Sequence, residues 1–259
     1  MKTIKDLSDE QFCLSYELHI LSTRINLGKQ ERWLPGFTDV ITDFDHQQRY
    51  DWACDFVKNK TVLDIACGCG KGSFILADKG EAKSVLGCDI EEEAVRYSSI
   101  KYKKSNLSYE VQNAVQFNSK ELFDVIISFE TIEHISETDL FLNSIYDHLN
   151  DNGIFIVSTP IAAIEEDLKP KNIYHVIEWG FKKFQEVVSK KFIVERIFVQ
   201  LHDEKPYTFL EYQLNKFFPK KTNYKNTKIE EYSSSMAINK FGKQINGYQI
   251  LICKKNNNQ

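Results

Sequence analysis

The chain has 259 residues, 33 Lys and Arg against 37 Asp and Glu, and 42% hydrophobic residues, among them 18 Phe and 12 Tyr. That apolar content suffices for a sizeable core in one large domain, or a domain with a cap, while the formal net charge of -4 argues against a protein that grips nucleic acid by neutralising phosphates. No apolar run approaches the roughly 20 residues that span a bilayer, and the opening MKTIKDLSDEQ lacks the apolar core of a signal peptide, so a cytoplasmic protein is expected.

In chain order, the first 60 residues are mostly helical in pattern and are expected to form a cap. Within them, His46, Arg49 and Tyr50 are spaced i, i+3, i+4 and share one helix face. From residue 61 to about 160, short apolar runs alternate with amphipathic stretches. TVLDIA (61–66), SVLGCD (84–89), LSYEVQ (107–112), FDVIISF (123–129) and GIFIVST (153–159) read as strands. KGSFILADK (71–79), EEEAVRYSSIKYK (91–103) and ETDLFLNSIYDHLN (137–150) read as helices between them. This βαβα rhythm predicts a parallel sheet covered on both faces. A helix at about 179–190, a strand KFIVERIFV (191–199), a polar insertion over 201–240 and a last strand YQILICK (248–254) complete the pattern. The core is thus expected over 61–200 and 241–254, with the insertion as a second lid element over the site.

The stretch VLDIACGCGKG (62–72) carries the most information. It reads as a buried strand ending in a glycine-rich turn that opens a helix, so a ligand can lie on bare backbone with helix-start amides pointing at it. A dinucleotide fingerprint would place its third glycine where Ser73 stands. Asp64 sits inside the strand, and Asp89 ends the next apolar run, where an acid grips ribose hydroxyls. This combination resembles the class I S-adenosylmethionine-dependent methyltransferases. The resemblance implies an α/β, Rossmann-like, seven-stranded and mostly parallel sheet with helices on both faces and an antiparallel C-terminal hairpin. It also implies the cofactor S-adenosyl-L-methionine. Ala66, Gly68 and Gly70 would then lie against its methionine part, and Asp64 would hold its ammonium group directly or through water. Asp89 would take the ribose diol, Ile90 would pack on the adenine, and Asn113-Ala114 would stand where the family often has Asp-Ala. ERWLPG (31–36) followed by His46, Arg49 and Tyr50 looks like a pattern of bacterial methyltransferases for surface-glycan and related small molecules, with Arg49 reaching the cofactor carboxylate.

The fourth strand runs into FETIEHI (129–135), and ligands in an open α/β sheet bind beyond the carboxyl ends of strands. Glu130, Glu133 and His134 are therefore expected near the transferred methyl group, with His175 supplied by NIYHVIEWG (172–180). These residues resemble the pattern by which ubiquinone-pathway O-methyltransferases and small-RNA ribose methyltransferases hold a divalent metal. Carried over, the ligands would be Glu130, Glu133, His134 and His175, with Mg²⁺ or Mn²⁺ as the ion. A metal-free reading gives His134, with Glu133 and His175, acid–base or substrate-contact roles.

The insertion interleaves Lys216, Lys220, Lys221, Lys225 and Lys228 with Phe217, Phe218 and Tyr224, which suits either a phosphate- or nucleotide-linked acceptor or a solvated lid. The six cysteines form no CxxC pair and read as reduced, structural thiols. The functional expectation is methylation of a small molecule, O-methylation of a sugar or surface-glycan precursor first. The alternatives are RNA ribose O-methylation, N-methylation of an amino sugar or other small metabolite, and a non-catalytic cofactor-binding subunit.

Overall fold

The computed structural model describes residues 7–27, 32–202, 227–233, 239–240, 243–244 and 247–256. The elements follow in the order α1 (Asp9–Leu27), α2 (Val40–Val57), β1 (Thr61–Ile65), α3 (Lys71–Asp78), β2 (Ser84–Asp89), α4 (Glu92–Lys101), β3 (Leu107–Val111), β4 (Phe123–Phe129), α5 (Thr138–His148) and β5 (Leu149–Pro160). Next come β6 (Glu166–Asp167), β7 (Glu178–Trp179), α6 (Phe181–Ser189), β8 (Phe192–Leu201), β9 (Ile229–Glu231), β10 (Asn239–Lys240), β11 (Lys243–Gln244) and β12 (Gly247–Lys255). Short 3-10 turns at Ala114–Gln116 and Ile132–His134 precede and follow β4.

The main sheet runs β3-β2-β1-β4-β5-β12-β8-β9. Its pairings from β3 to β5 are parallel, and β12 enters antiparallel between β5 and β8. The expected Rossmann-like architecture with an antiparallel C-terminal hairpin is therefore present. The strand count differs from the expected seven. Ile229–Glu231, inside the stretch read as an insertion, pairs antiparallel with Phe198–Gln200 as an eighth, edge strand. Three residues, two of them glutamates, carry no apolar period that announces a strand.

The central strands alternate between two cores, which is why their sequences are apolar at nearly every position. In β1, Val62 faces a layer built with Ala53 and Val57 of α2 and Leu76 of α3. Leu63 and Ile65 face the other layer with Phe141 and Ile145 of α5 and Phe184 of α6. Burying one such aliphatic side chain contributes roughly 1.5–3 kcal/mol, so the strand positions define the fold. α2 is packed into the sheet layer; its start is capped by the Asp39 carboxylate, which accepts from Ile41 N and Thr42 N at 3.1 and 3.0 Å. α1 is tied to the segment before α2 by Arg24, whose guanidinium donates to the carbonyls of Phe37 and Thr38. Strand order reverses between β1 and β4, so their carboxyl ends splay and leave a crevice at that switch point.

Candidate active site

A cavity of about 430 Å³ occupies that crevice. One end of it is built from Gly68, Asp89, Ile90, Gln112, Asn113 and Ala114, and the other from Phe129, Glu130, Thr131, His134 and Tyr174. Trp33, His46 and Tyr50 line it from the N-terminal side, and Ala66 lines it as well.

At the first end, Asp89 is held by the glycine turn. Its Oδ2 accepts from Gly68 N at 2.9 Å and its Oδ1 from Glu91 N at 3.0 Å. Ile90 beside it is 66% exposed, an apolar face set against the cavity. Asn113 Oδ1 accepts from Val115 N at 2.9 Å, which fixes that loop beside Ala114.

The glycines divide by role. Gly68 has φ +57° and a Cβ there would meet nothing within 4 Å, so its bareness serves the cavity. Gly70 was expected to meet the cofactor, but it stands outside the lining. Its φ is +77°, and a Cβ would strike Ser98 and Tyr109 at 2.5 and 2.8 Å. Gly72 must be bare because the Tyr50 ring lies 2.0 Å from where its Cβ would stand. One glycine of the turn faces the ligand space and two admit packing.

Asp64 stands inside β1, where it is expected to hold the cofactor's ammonium group directly or through water. It is fully buried and does not line the cavity. Its oxygens receive Ser73 Oγ at 2.6 Å and the Tyr50 hydroxyl at 3.1 and 3.3 Å. Burial raises its pKa from 3.8 to about 7 against those hydrogen bonds. Asp64 meets the cavity through Tyr50, not directly. Tyr50 in turn stacks on Trp33, which stacks on His46, at ring separations of 5.7 and 5.3 Å.

Arg49 stands behind the cavity wall. Its side chain is fully buried, donates to Gln200 Oε1 at 2.7 Å and lies over the Tyr248 ring, while Nε and Nη2 have no hydrogen-bond partner among the described residues. The basic residue that does line the cavity is Arg32. It pairs with Asp89 at 3.3 Å and with Glu91 at 3.0 Å. Nothing in the spacing of 31–36 singles it out, because that segment has no regular period.

At the reacting end, Glu130 has φ +51°, and its Oε1 accepts from Ser158 Oγ at 2.6 Å. Glu133 is fully buried; Oε2 accepts from Thr159 Oγ1 at 3.1 Å and Oε1 has no partner among the described residues. Burial, then the neighbouring Glu130 carboxylate, pushes the Glu133 pKa well above 4.5. The Glu133 carbonyl accepts from Val176 N and Ile177 N, so the 172–178 loop is pinned to this turn. His134 Nδ1 lies 2.9 Å from the Tyr174 carbonyl oxygen. A carbonyl only accepts, so Nδ1 carries the proton and the lone pair of the neutral ring resides on Nε2.

His175 comes to this turn without lining the cavity. Its Nδ1 is 2.7 Å from Glu178 Oε1, and its ring sits 4.8 Å from that of His134. Glu133, His134 and His175 each present one ligand atom within 4.8 Å of the others. The expected four-member set loses Glu130, whose carboxylate is turned to Ser158 and stands outside this group. The insertion residues Lys216, Lys220, Lys221, Lys225, Phe217, Phe218 and Tyr224 lie outside the described residues, and Lys228 is exposed.

The sheet is doubly wound, with an acid-tipped β2 and a bare glycine at the switch point, the place where ligands bind in open α/β sheets. The chain belongs to the methyltransferase-domain family, which matches residues 56–230. It is 28% identical over 162 residues to a probable S-adenosylmethionine-dependent methyltransferase of Mycolicibacterium smegmatis, covering 61% of this chain and 62% of that protein. It is 32% identical over 105 residues to a ubiquinone biosynthesis O-methyltransferase of Pelagibacter ubique, covering 40% and 43%. The chain thus spans less than two thirds of these relatives. Among solved structures it resembles the N-methyltransferase NodS of Bradyrhizobium japonicum in complex with S-adenosyl-L-homocysteine, with TM-score 0.58, 13% identity, and 94% and 98% of the two chains covered. It also resembles the cyclase SpnF, with TM-score 0.60, 12% identity, and 96% and 97% covered. At these identities the likeness establishes the fold alone.

Proposed function

We propose that the protein transfers the methyl group of S-adenosylmethionine to a hydroxyl of a small molecule, a sugar or glycan precursor in the cytoplasm. The observation that carries the reading is the pairing of Gly68 and Asp89 at one end of the cavity with His134, whose Nδ1 meets the Tyr174 carbonyl, at the other. The diol of the cofactor's ribose suits the Asp89 carboxylate, Ile90 suits its adenine, and open Gly68 admits its chain. Arg49, with two buried N–H groups lacking partners, would meet the cofactor carboxylate only after a shift of the cavity wall.

In the reaction, the acceptor hydroxyl gives its proton to His134 Nε2 as its oxygen bonds to the methyl carbon. Bound S-adenosylmethionine would supply the methyl group, its sulfur keeping the electron pair of the carbon–sulfur bond to leave S-adenosylhomocysteine. The enzyme's work is alignment and proton removal. Thr131, Glu130, His46 and His134 offer a hydroxyl-bearing acceptor its polar contacts in a cavity whose lining is otherwise mostly apolar. The O-methyltransferase names among the relatives favour oxygen over nitrogen.

A screen of nucleotide-sugars and phenols with labelled S-adenosylmethionine tests the reading. His134→Ala is expected to cut turnover about 10²–10⁴-fold while leaving S-adenosylhomocysteine affinity within about threefold. A variant with full turnover removes His134 from the reaction.

A second reading adds a divalent cation held by Glu133, His134 and His175. It is favoured by the buried, unpartnered Glu133 Oε1 and by a donor set of one carboxylate and two imidazoles. A cation there lowers the pKa of a coordinated hydroxyl. Calorimetry with Mn²⁺ decides it: micromolar binding lost in Glu133→Ala supports the site, and no heat in the parent protein rejects it.

A further inference from the structure

Nothing in the sequence gives Arg32, inside ERWLPG, a role of its own, yet its guanidinium ends on Asp89, the acid at the tip of β2. Its Nη1 meets Asp89 Oδ1 at 3.3 Å and its Nη2 meets Glu91 Oε2 at 3.0 Å. A carboxylate offers about four lone-pair sites. On Asp89, Oδ2 receives Gly68 N, and Oδ1 receives both Glu91 N and Arg32. Oδ1 is therefore full and Oδ2 has one site left. A vicinal diol needs two. The two backbone donors are fixed parts of the turn, at 2.9 and 3.0 Å. The Arg32 bond is the longest of the three, and its side chain is 27% exposed, so it is the one able to move into solvent.

We propose that Arg32 is a positioning residue of the cofactor site, holding the Asp89 carboxylate in the place of the ribose diol and leaving that oxygen as the diol arrives. The inference rests on the S-adenosylmethionine reading above and adds an exchange to it. Arg32 keeps Asp89 oriented toward the cavity while no nucleoside is bound, and the nucleoside must displace it.

The exchange also reaches the N-terminal helix. Arg32 adjoins Trp33, which lies on the His46 and Tyr50 rings, and Arg24 of α1 grips the carbonyls of Phe37 and Thr38 a few residues on. Tyr16 of α1 donates to Glu91 Oε2 at 3.3 Å, the same oxygen that Arg32 meets. The end of β2 is thus clasped from α1 and from the segment before α2 at once. Nucleoside binding would open the Arg32 half of that clasp.

The experiment is isothermal calorimetry with S-adenosyl-L-homocysteine on the full chain, comparing the parent with Arg32→Ala, Arg32→Lys and Asp89→Ala. Exchange predicts that Arg32→Ala binds about three- to tenfold more tightly, with Arg32→Lys between it and the parent. It predicts further that raising salt from about 0.05 M to about 0.5 M, which screens the Arg32 pairs, tightens the parent and leaves Arg32→Ala unmoved. A residue that merely props the fold moves thermal stability but not this salt response. Weaker binding by Arg32→Ala, or equal binding with equal salt dependence, overturns the exchange. A parent protein that binds no S-adenosylhomocysteine refutes the cofactor reading itself, and Asp89→Ala, expected to lose binding in every salt, marks that separate failure.

Discussion

Single residues in the glycine turn have separable duties, and substitution separates them. Gly72→Ala drives a methyl group into a Tyr50 ring that cannot yield, held between Trp33, Phe129 and Asp64. Overpacking of this kind costs about 1–3 kcal/mol, and thermal unfolding is expected to show it. Gly68→Ala meets open space, so its stability cost is the left-handed backbone alone, about 1–2 kcal/mol, whereas its methyl enters the ligand cavity. Calorimetry is expected to record a fall of at least tenfold in S-adenosylhomocysteine affinity; unchanged affinity would move the ligand off this turn. Asp64 sets a pH dependence. Its pKa rises on folding from 3.8 to about 7, so the native state holds a proton that the unfolded chain has released. Stability from this group is therefore greatest at low pH and declines as pH rises between about 4 and 7, by on the order of 4 kcal/mol at most. Urea unfolding of Asp64→Asn should show a shallower decline across that window, the remainder belonging to Glu130 and Glu133; an unaltered slope would mean Asp64 is ionised in the fold.

Elements matter here through what they hold in place. The 172–178 loop has no regular structure before β7, yet two of its N–H groups bind the Glu133 carbonyl and its Tyr174 carbonyl sets the His134 tautomer. Val176→Pro removes one of those donors and restricts His175 before it. Losing one such hydrogen bond costs about 0.5–1.5 kcal/mol, since the Glu133 carbonyl keeps Ile177 N. Turnover on the acceptor found by screening is expected to fall more than tenfold, with S-adenosylhomocysteine affinity held within about twofold. A parallel loss of affinity would show that the loop supports the nucleoside end instead. At the far edge, β9 covers β8 through three residues, and Arg196 pairs with Glu231 across them at 2.9 Å. Such an exposed pair contributes little by itself; the strand's role is to close an open edge.

Across the whole molecule, the strands from 61 to 160 were legible because each is a short apolar run bounded by a turn, and their order of appearance requires a parallel sheet. The cavity-lining positions of Asp89, Ile90, Gly68 and His134 were legible for the same reason, since they follow strand ends. What was not legible depends on contacts between distant segments. Asp64 is shielded because Tyr50, fourteen positions earlier, swings over it. Glu130 leaves the Glu133–His134 group because Ser158 on β5 claims its carboxylate. Arg32 comes to Asp89 from a segment with no period at all. The account as a whole stands on the nucleoside end of the cavity, and calorimetry of the parent and Asp89→Ala with S-adenosyl-L-homocysteine tests it most directly. The parent is expected to bind with a micromolar or tighter Kd and Asp89→Ala to lose at least about a hundredfold, near 2.7 kcal/mol. Equal affinity in the two proteins, or heat only with a nicotinamide dinucleotide, would contradict it.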